Sequence, residues 1–272
     1  MEVRKACVAG QFYAGTRDAL ERQIEVCYDL RLPVVNEKGP RRILAAIAPH
    51  AGYMYSGRVA ATLYRELAED GVFETAILIG PNHSGLGADA AVMVEGEWET
   101  PLGRVEIESD LALQICRAGL EADDLAHLYE HCIEVQLPFL QKLYPRLKIV
   151  PICLKAQDVQ TSRRVGEIVS RSMGERDIVV ATTDFTHYEP QEEALRKDRL
   201  AIEAIIDLDE EKLFHRVQDL HISMCGYGPA MAAIVASRER GAKEAALLTY
   251  TTSAEFTGDY SVVGYGAVVI RR

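Results

Sequence analysis

The chain has 272 residues, 48% of them hydrophobic, and a formal net charge of −11 with a pI near 5.2. That apolar content excludes a disordered polymer, and the length suits one large α/β domain. The acidic balance argues against a nucleic-acid binder, which needs a basic stripe, and no apolar run is long enough to span a bilayer.

Met1-Glu2-Val3-Arg4-Lys5 is charged and leads into no apolar signal-peptide core, so a soluble, cytoplasmic protein is expected. Residues 16–30 then read as a helix with Leu20, Ile24 and Cys27 on one face. The apolar run Ile43 to Ala48 has the length of a buried strand and stops at Pro49-His50. Val59, Leu63 and Leu67 recur at helical spacing within 57–69, and Thr75 to Ile79 is a strand closed by Gly80-Pro81. Ala91 to Val94 and Arg104 to Ile107 read as two strands flanking a Pro101-Leu102-Gly103 turn, a hairpin-like excursion. Helices are expected at 109–118 and 131–143. Lys148 to Leu154 is a strand in which Pro151 suggests an irregularity or an edge.

A helix over 158–173 precedes the strand Asp177 to Thr182. Helices at 191–206, 209–219 and 228–240 and strands at Leu247 to Thr251 and Ser261 to Ile270 complete the chain. The alternation of apolar runs with amphipathic stretches predicts a single α/β domain over 1–272, with a largely parallel or mixed sheet flanked by helices. The six cysteines show no paired spacing. Most of them read as small buried hydrophobes rather than a disulfide framework.

In open α/β sheets, ligands bind beyond the carboxyl ends of the strands. His50, His83, Asp184 and His187 all follow such ends, in Pro49-His50-Ala51-Gly52-Tyr53, Gly80-Pro81-Asn82-His83 and Thr183-Asp184-Phe185-Thr186-His187-Tyr188. Neutral imidazoles bind iron, copper and zinc, so His50 and His83 are candidate metal ligands. Cys225, in Met224-Cys225-Gly226-Tyr227-Gly228, is the candidate third ligand, and a buried thiol is the competing reading. Asp184 and His187 suit proton transfer, because a carboxylate near an imidazole can orient it. His131 and Glu134 share a helical face. His131 is a candidate to line the cleft, and Glu134 suits the positive end of the helix dipole. His127, His215 and His221 lack a motif and read as surface or structural residues. Tyr53, Tyr55, Tyr188 and Tyr227 are candidates for an aromatic wall. No phosphate loop, dinucleotide fingerprint or serine elbow occurs.

These segments resemble the Memo family, together with Ala9-Gly10-Gln11-Phe12-Tyr13, Trp98 before Thr100-Pro101-Leu102-Gly103, Glu134-Val135-Gln136-Leu137-Pro138-Phe139 and Cys225-Gly226. The likeness runs from about Arg4 to Ala267. It implies a fold like that of the class III extradiol, non-haem-iron dioxygenases, which hold Fe(II) with two histidines and a glutamate beside an acid/base histidine. On that resemblance His50 and His83 match the two histidine ligands, Cys225 stands at the third, and His187 matches the acid/base group with Asp184 beside it. Cysteine in place of the carboxylate favours copper or zinc over iron and argues against retained ring opening. The leading expectation is a metal-binding protein, redox-active or catalytically reduced, with iron, copper or zinc in a cleft that takes a small molecule or peptide. The alternatives are an active oxygenase or metal-dependent hydrolase on a small aromatic or carbonyl substrate, and a non-catalytic module binding a peptide or small anion.

Overall fold

In a computed structural model that describes residues 3–272, one open sheet runs through the molecule with helices against it. The chain begins with strand β1 (Val3–Arg4) and helix α1 (Arg17–Cys27), whose Leu20, Ile24 and Cys27 are buried together. Strand β2 (Ile43–Ala48), helix α2 (Tyr53–Asp70) and strand β3 (Thr75–Pro81) follow, both strands buried along their whole length. Next come β4 (Ala90–Val92), β5 (Glu97–Thr100), β6 (Gly103–Glu106), α3 (Ser109–Ala118) and β7 (Glu121–Ala122). Two short helices, α4 (His131–Glu134) and α5 (Leu137–Leu143), lead to β8 (Lys148–Leu154). Helix α6 (Val159–Ser172) begins at Asp158, whose carboxylate accepts the Thr161 N–H at 2.9 Å, and it feeds β9 (Asp177–Thr182). The last part comprises β10 (His187–Pro190), α7 (Gln191–Ile206), α8 (Glu210–Asp219), α9 (Tyr227–Glu239), β11 (Glu244–Thr252), α10 (Ala254–Thr257) and β12 (Ser261–Arg271).

At the centre of the sheet β2, β9, β3 and β8 lie side by side and parallel. Their uninterrupted apolar runs suit strands covered on both faces. Strand β12 is antiparallel to β2, and β4 to β8, so the sheet is mixed. The order is β10-β12-β2-β9-β3-β8-β4-β7, with β11 paired to β12, while β1, β5 and β6 form a small separate sheet. Helix α9 is buried along most of its length because it lies on β9 and β2 and is covered by α6 and α8. The parallel direction brings the loops after β2, β3 and β9 out at one end, which places His50, His83 and Asp184 together.

Several local expectations change. The stretch 131–143 is two helices. Pro138 occupies the first turn of α5, where its missing N–H has no intrahelical partner to lose, and the chain turns at Val135-Gln136. Helix α2 begins at Tyr53, four residues earlier than expected. The hairpin arms are β5 and β6, so Trp98 lies in a strand, and β4 instead joins the main sheet. Pro151 sits in an interior strand, not an edge. Its carbonyl faces Met93, accepting that N–H at 3.2 Å, and a residue's N–H and C=O point the same way in a strand. The missing donor is therefore on the β4 side, beyond the pairing that ends at Val92↔Ile152.

Candidate metal centre

His50 follows β2 and is buried. Its backbone N–H donates to Asp184 Oδ1 at 2.9 Å. Its Nδ1 lies 3.0 Å from Thr182 Oγ1 and its Nε2 lies 3.1 Å from Cys225 Sγ. Burial, with the nearby His131, His83 and His187, holds its pKa well below the usual imidazole value, so the ring is neutral, the state that binds metals.

His83 follows β3 in a loop shaped by Asn82, whose Oδ1 accepts from Ser84 Oγ and Gly85 N, both at 2.9 Å. Its backbone N–H donates to Glu130 Oε2 at 2.6 Å, and its Nδ1 lies 2.9 Å from Glu130 Oε1. His131 opens α4 with its Nδ1 3.4 Å from that same oxygen, and burial pushes its pKa down to about 4. Burial works to raise the Glu130 carboxyl, but His83, His131 and the Cys132 N–H outweigh it and bring the pKa to about 2. One ring nitrogen from each of His50, His83 and His131 lies within 4.8 Å of the others.

Cys225 meets His50 and stands outside that group of three imidazoles. Its Sγ accepts the Asp184 N–H at 3.3 Å. The approach depends on Gly226, where an added Cβ would lie 2.1 Å from Thr182 O and 2.7 Å from Thr183 Cβ. The Gly226 N–H donates to Thr183 Oγ1 at 2.9 Å, and Gln157 Nε2 donates to Cys225 O at 2.9 Å. Burial, then the Asp184 charge, pushes the thiol pKa far up, so without a cation the sulfur keeps its proton. Burial also raises Asp184 to about 6, against the His50 N–H bond that favours its charged form. His187 donates its backbone N–H to Ser223 Oγ, and its Nδ1 faces Ser223 O, both at 2.7 Å. The preceding Thr186 is pinned by buried Asp198, which accepts its N–H at 2.9 Å and its hydroxyl, while Tyr250 OH donates to Asp198 at 2.6 Å.

A cavity of about 500 Å³ is lined by His50, His83, His131, Asp184 and His187, with Phe12, Tyr55, Tyr188 and Tyr265 as aromatic walls. Cys225 and Tyr227 are not part of that lining. A second hollow of about 490 Å³, around Phe73, Tyr144 and Arg176, contains none of the histidines.

The structure thus brings together His50, His83, Asp184 and His187 and sets Cys225 against His50. His131 joins them. Glu130 escaped sequence reasoning: it stands just before a helix, but glutamate is not a favoured cap residue and no local pattern marked it. Glu134 does not face the cleft. Its buried carboxylate takes Arg4, the Cys7 and Val8 N–H groups at 2.9 and 3.1 Å, and Tyr13 OH at 2.6 Å. This network holds the N-terminal segment so that Phe12 reaches the cavity. His127 is buried beside Cys153, its Nδ1 3.3 Å from Sγ, whereas His215 and His221 are exposed. All six cysteines are free. No helix among the described residues is long and apolar enough to cross a membrane.

A sequence model of the family described as Memo-like protein matches residues 4–269. A MEMO1 family protein of Methanopyrus kandleri is 48% identical, with 99% of each chain covered. One from Methanothermobacter thermautotrophicus is 46% identical over 97% of this chain and 98% of its own. One from Methanosarcina mazei is 41% identical over 99% of this chain and 100% of its own. Among solved structures, an uncharacterized protein of Escherichia coli K12 superimposes with a TM-score of 0.59 at 13% identity, covering 84% of this chain and all of that one, a likeness of fold alone. With the match running through every segment that builds the cleft, the chain belongs to the Memo-like protein family.

Proposed function

We propose that this protein binds one transition metal ion in the cleft through His50, His83 and Cys225, with His131 within reach and Asp184 and His187 handling protons. The observation that carries this reading is the meeting of the Cys225 sulfur with His50 Nε2 at 3.1 Å, beside imidazoles within 4.8 Å of one another. The donor set fits such an ion: His50 is kept neutral by burial, and a thiol gives up its proton on metal binding. Imidazole and thiolate together favour copper or zinc over iron. A bound ion would supply Lewis acidity or a one-electron couple. The chain supplies the rest. With its Nδ1–H donated to Ser223 O, His187 keeps Nε2 free to accept a proton from a ligand in the cavity. Asp184, raised to about 6, holds or releases a proton near neutral pH. The ligand is a small molecule or peptide that fits the cavity.

A second reading, an oxygenase acting on a small aromatic substrate, draws on the aromatic walls of Phe12, Tyr55, Tyr188 and Tyr265. Metal analysis of tag-free protein purified without chelator tests the first reading. About one ion per chain is expected, with a large loss in Cys225→Ser. Stoichiometric metal in that variant removes Cys225 from the site, and a wild-type chain that takes up no copper, zinc or iron refutes the proposal. Catechol-dependent oxygen uptake by anaerobically iron-loaded protein would favour the second reading.

A further inference from the structure

Glu130 does more than a helix cap requires. As the residue before α4 it accepts the Cys132 N–H at 3.0 Å, which satisfies the cap. Yet the side chain is fully buried, and beyond the N–H and thiol of Cys132 its contacts run to the cleft histidines. Oε2 accepts the His83 backbone N–H, and Oε1 sits 2.9 Å from His83 Nδ1 and 3.4 Å from His131 Nδ1. Both carboxylate oxygens already accept backbone N–H groups, so the group acts as an acceptor. A ring nitrogen at 2.9 Å from it must then carry its proton. A neutral imidazole protonated on Nδ1 leaves Nε2 bare on the opposite edge of the ring.

We propose that Glu130 is a positioning residue for the cleft: it fixes His83 as the Nδ1–H tautomer and so turns an unprotonated Nε2 toward the cavity. The tautomer follows from geometry alone, while its purpose rests on the metal reading above. His50 provides the contrast. Its Nδ1 faces the Thr182 hydroxyl, which can donate or accept, so that partner does not dictate the tautomer. The centre therefore combines one imidazole set by a carboxylate with one set by whatever binds at its Nε2. A carboxylate behind a ligating histidine also raises the basicity of the ring, and losing such a partner weakens metal binding about 10- to 100-fold.

The test begins with metal-free wild-type protein carrying 15N-labelled histidine, read by long-range proton–nitrogen correlation. His83 is expected with its proton on Nδ1, and a proton on Nε2 overturns the proposal before any variant is made. Glu130→Gln, which can offer an amide N–H to the ring, should shift His83 toward the Nε2–H tautomer and weaken Zn(II) binding about 10- to 100-fold. Glu130→Asp, which keeps a carboxylate, should restore part of both. An unchanged tautomer and unchanged affinity in Glu130→Gln would reduce Glu130 to a cap. Wild-type protein with the expected tautomer but no affinity for Zn(II), copper or iron would sink the metal reading and support the tautomer assignment.

Discussion

Replacing Arg4 by Met should cost about 3–5 kcal/mol, because it strands the Glu134 carboxylate inside the protein. Both side chains are almost wholly buried, at 2% and 0% exposure. Burial works to raise the Glu134 pKa, yet Arg4 and the surrounding donors hold it below the usual carboxylate range. Arg4 also donates to His127 O at 3.1 Å and Glu130 O at 2.6 Å, and its guanidinium stacks 4.2 Å above the Trp98 ring. Methionine fills much of the volume but returns none of these bonds. The chain has a single tryptophan, so intrinsic fluorescence during urea unfolding reads this contact directly. Adding Glu134→Gln to Arg4→Met removes the stranded charge and should recover part of the loss, with a coupling of about 1–3 kcal/mol. A cost below about 1 kcal/mol for Arg4→Met, or a double variant as unstable as the sum of the single ones, would refute the idea that this ion pair holds the N-terminal segment under the cleft.

Gly226→Ala should destabilise the fold by about 1–3 kcal/mol and lower metal uptake, since the new methyl meets Thr182 O and pushes Cys225 from His50; equal stability and metal content in titrations would contradict this. Burial holds His127 at about 4 against an ordinary 6.5, so the folded state resists its protonation. Stability attributable to it is intact above pH 6.5 and declines toward pH 4 by up to about 1.4 kcal/mol per pH unit. Denaturant midpoints measured between pH 7 and 4.5 should fall less steeply in His127→Phe, and an unchanged slope would remove His127 from the account. Asp198→Asn weakens the acceptor that holds Thr186 and Tyr250. It should cost about 1–3 kcal/mol by thermal unfolding and shift the His187 ring resonances; a spectrum identical to wild type would show that Asp198 does not position this segment.

The strands were the most legible part of the sequence. Ile43 to Ala48 and Asp177 to Thr182 are apolar for the length of a strand and then stop at polar residues, so their ends could be read directly, and with them His50 and Asp184. The common direction of those strands then put the separated residues at one end. Partners fixed only by tertiary folding were not legible. Glu130 meets His83 across 47 positions and Glu134 meets Arg4 across 130, and neither carboxylate stands in a local pattern that names its partner. His131 was legible as a cleft residue but not as a neighbour of both other rings. The break between α4 and α5 was signalled by Pro138, but the apolar periodicity around it masked the turn.

The junction of Cys225 with His50 joins positions 175 apart. During synthesis the first imidazole emerges long before the sulfur, and the ribosome must release nearly the whole polypeptide before they can touch. Any occupant that needs both atoms must therefore be acquired after translation of residue 225, from the pool that a nearly finished molecule encounters. A truncated product ending before Cys225 would carry the two loop histidines without the thiol and would sample cations by a different chemistry from its full-length counterpart.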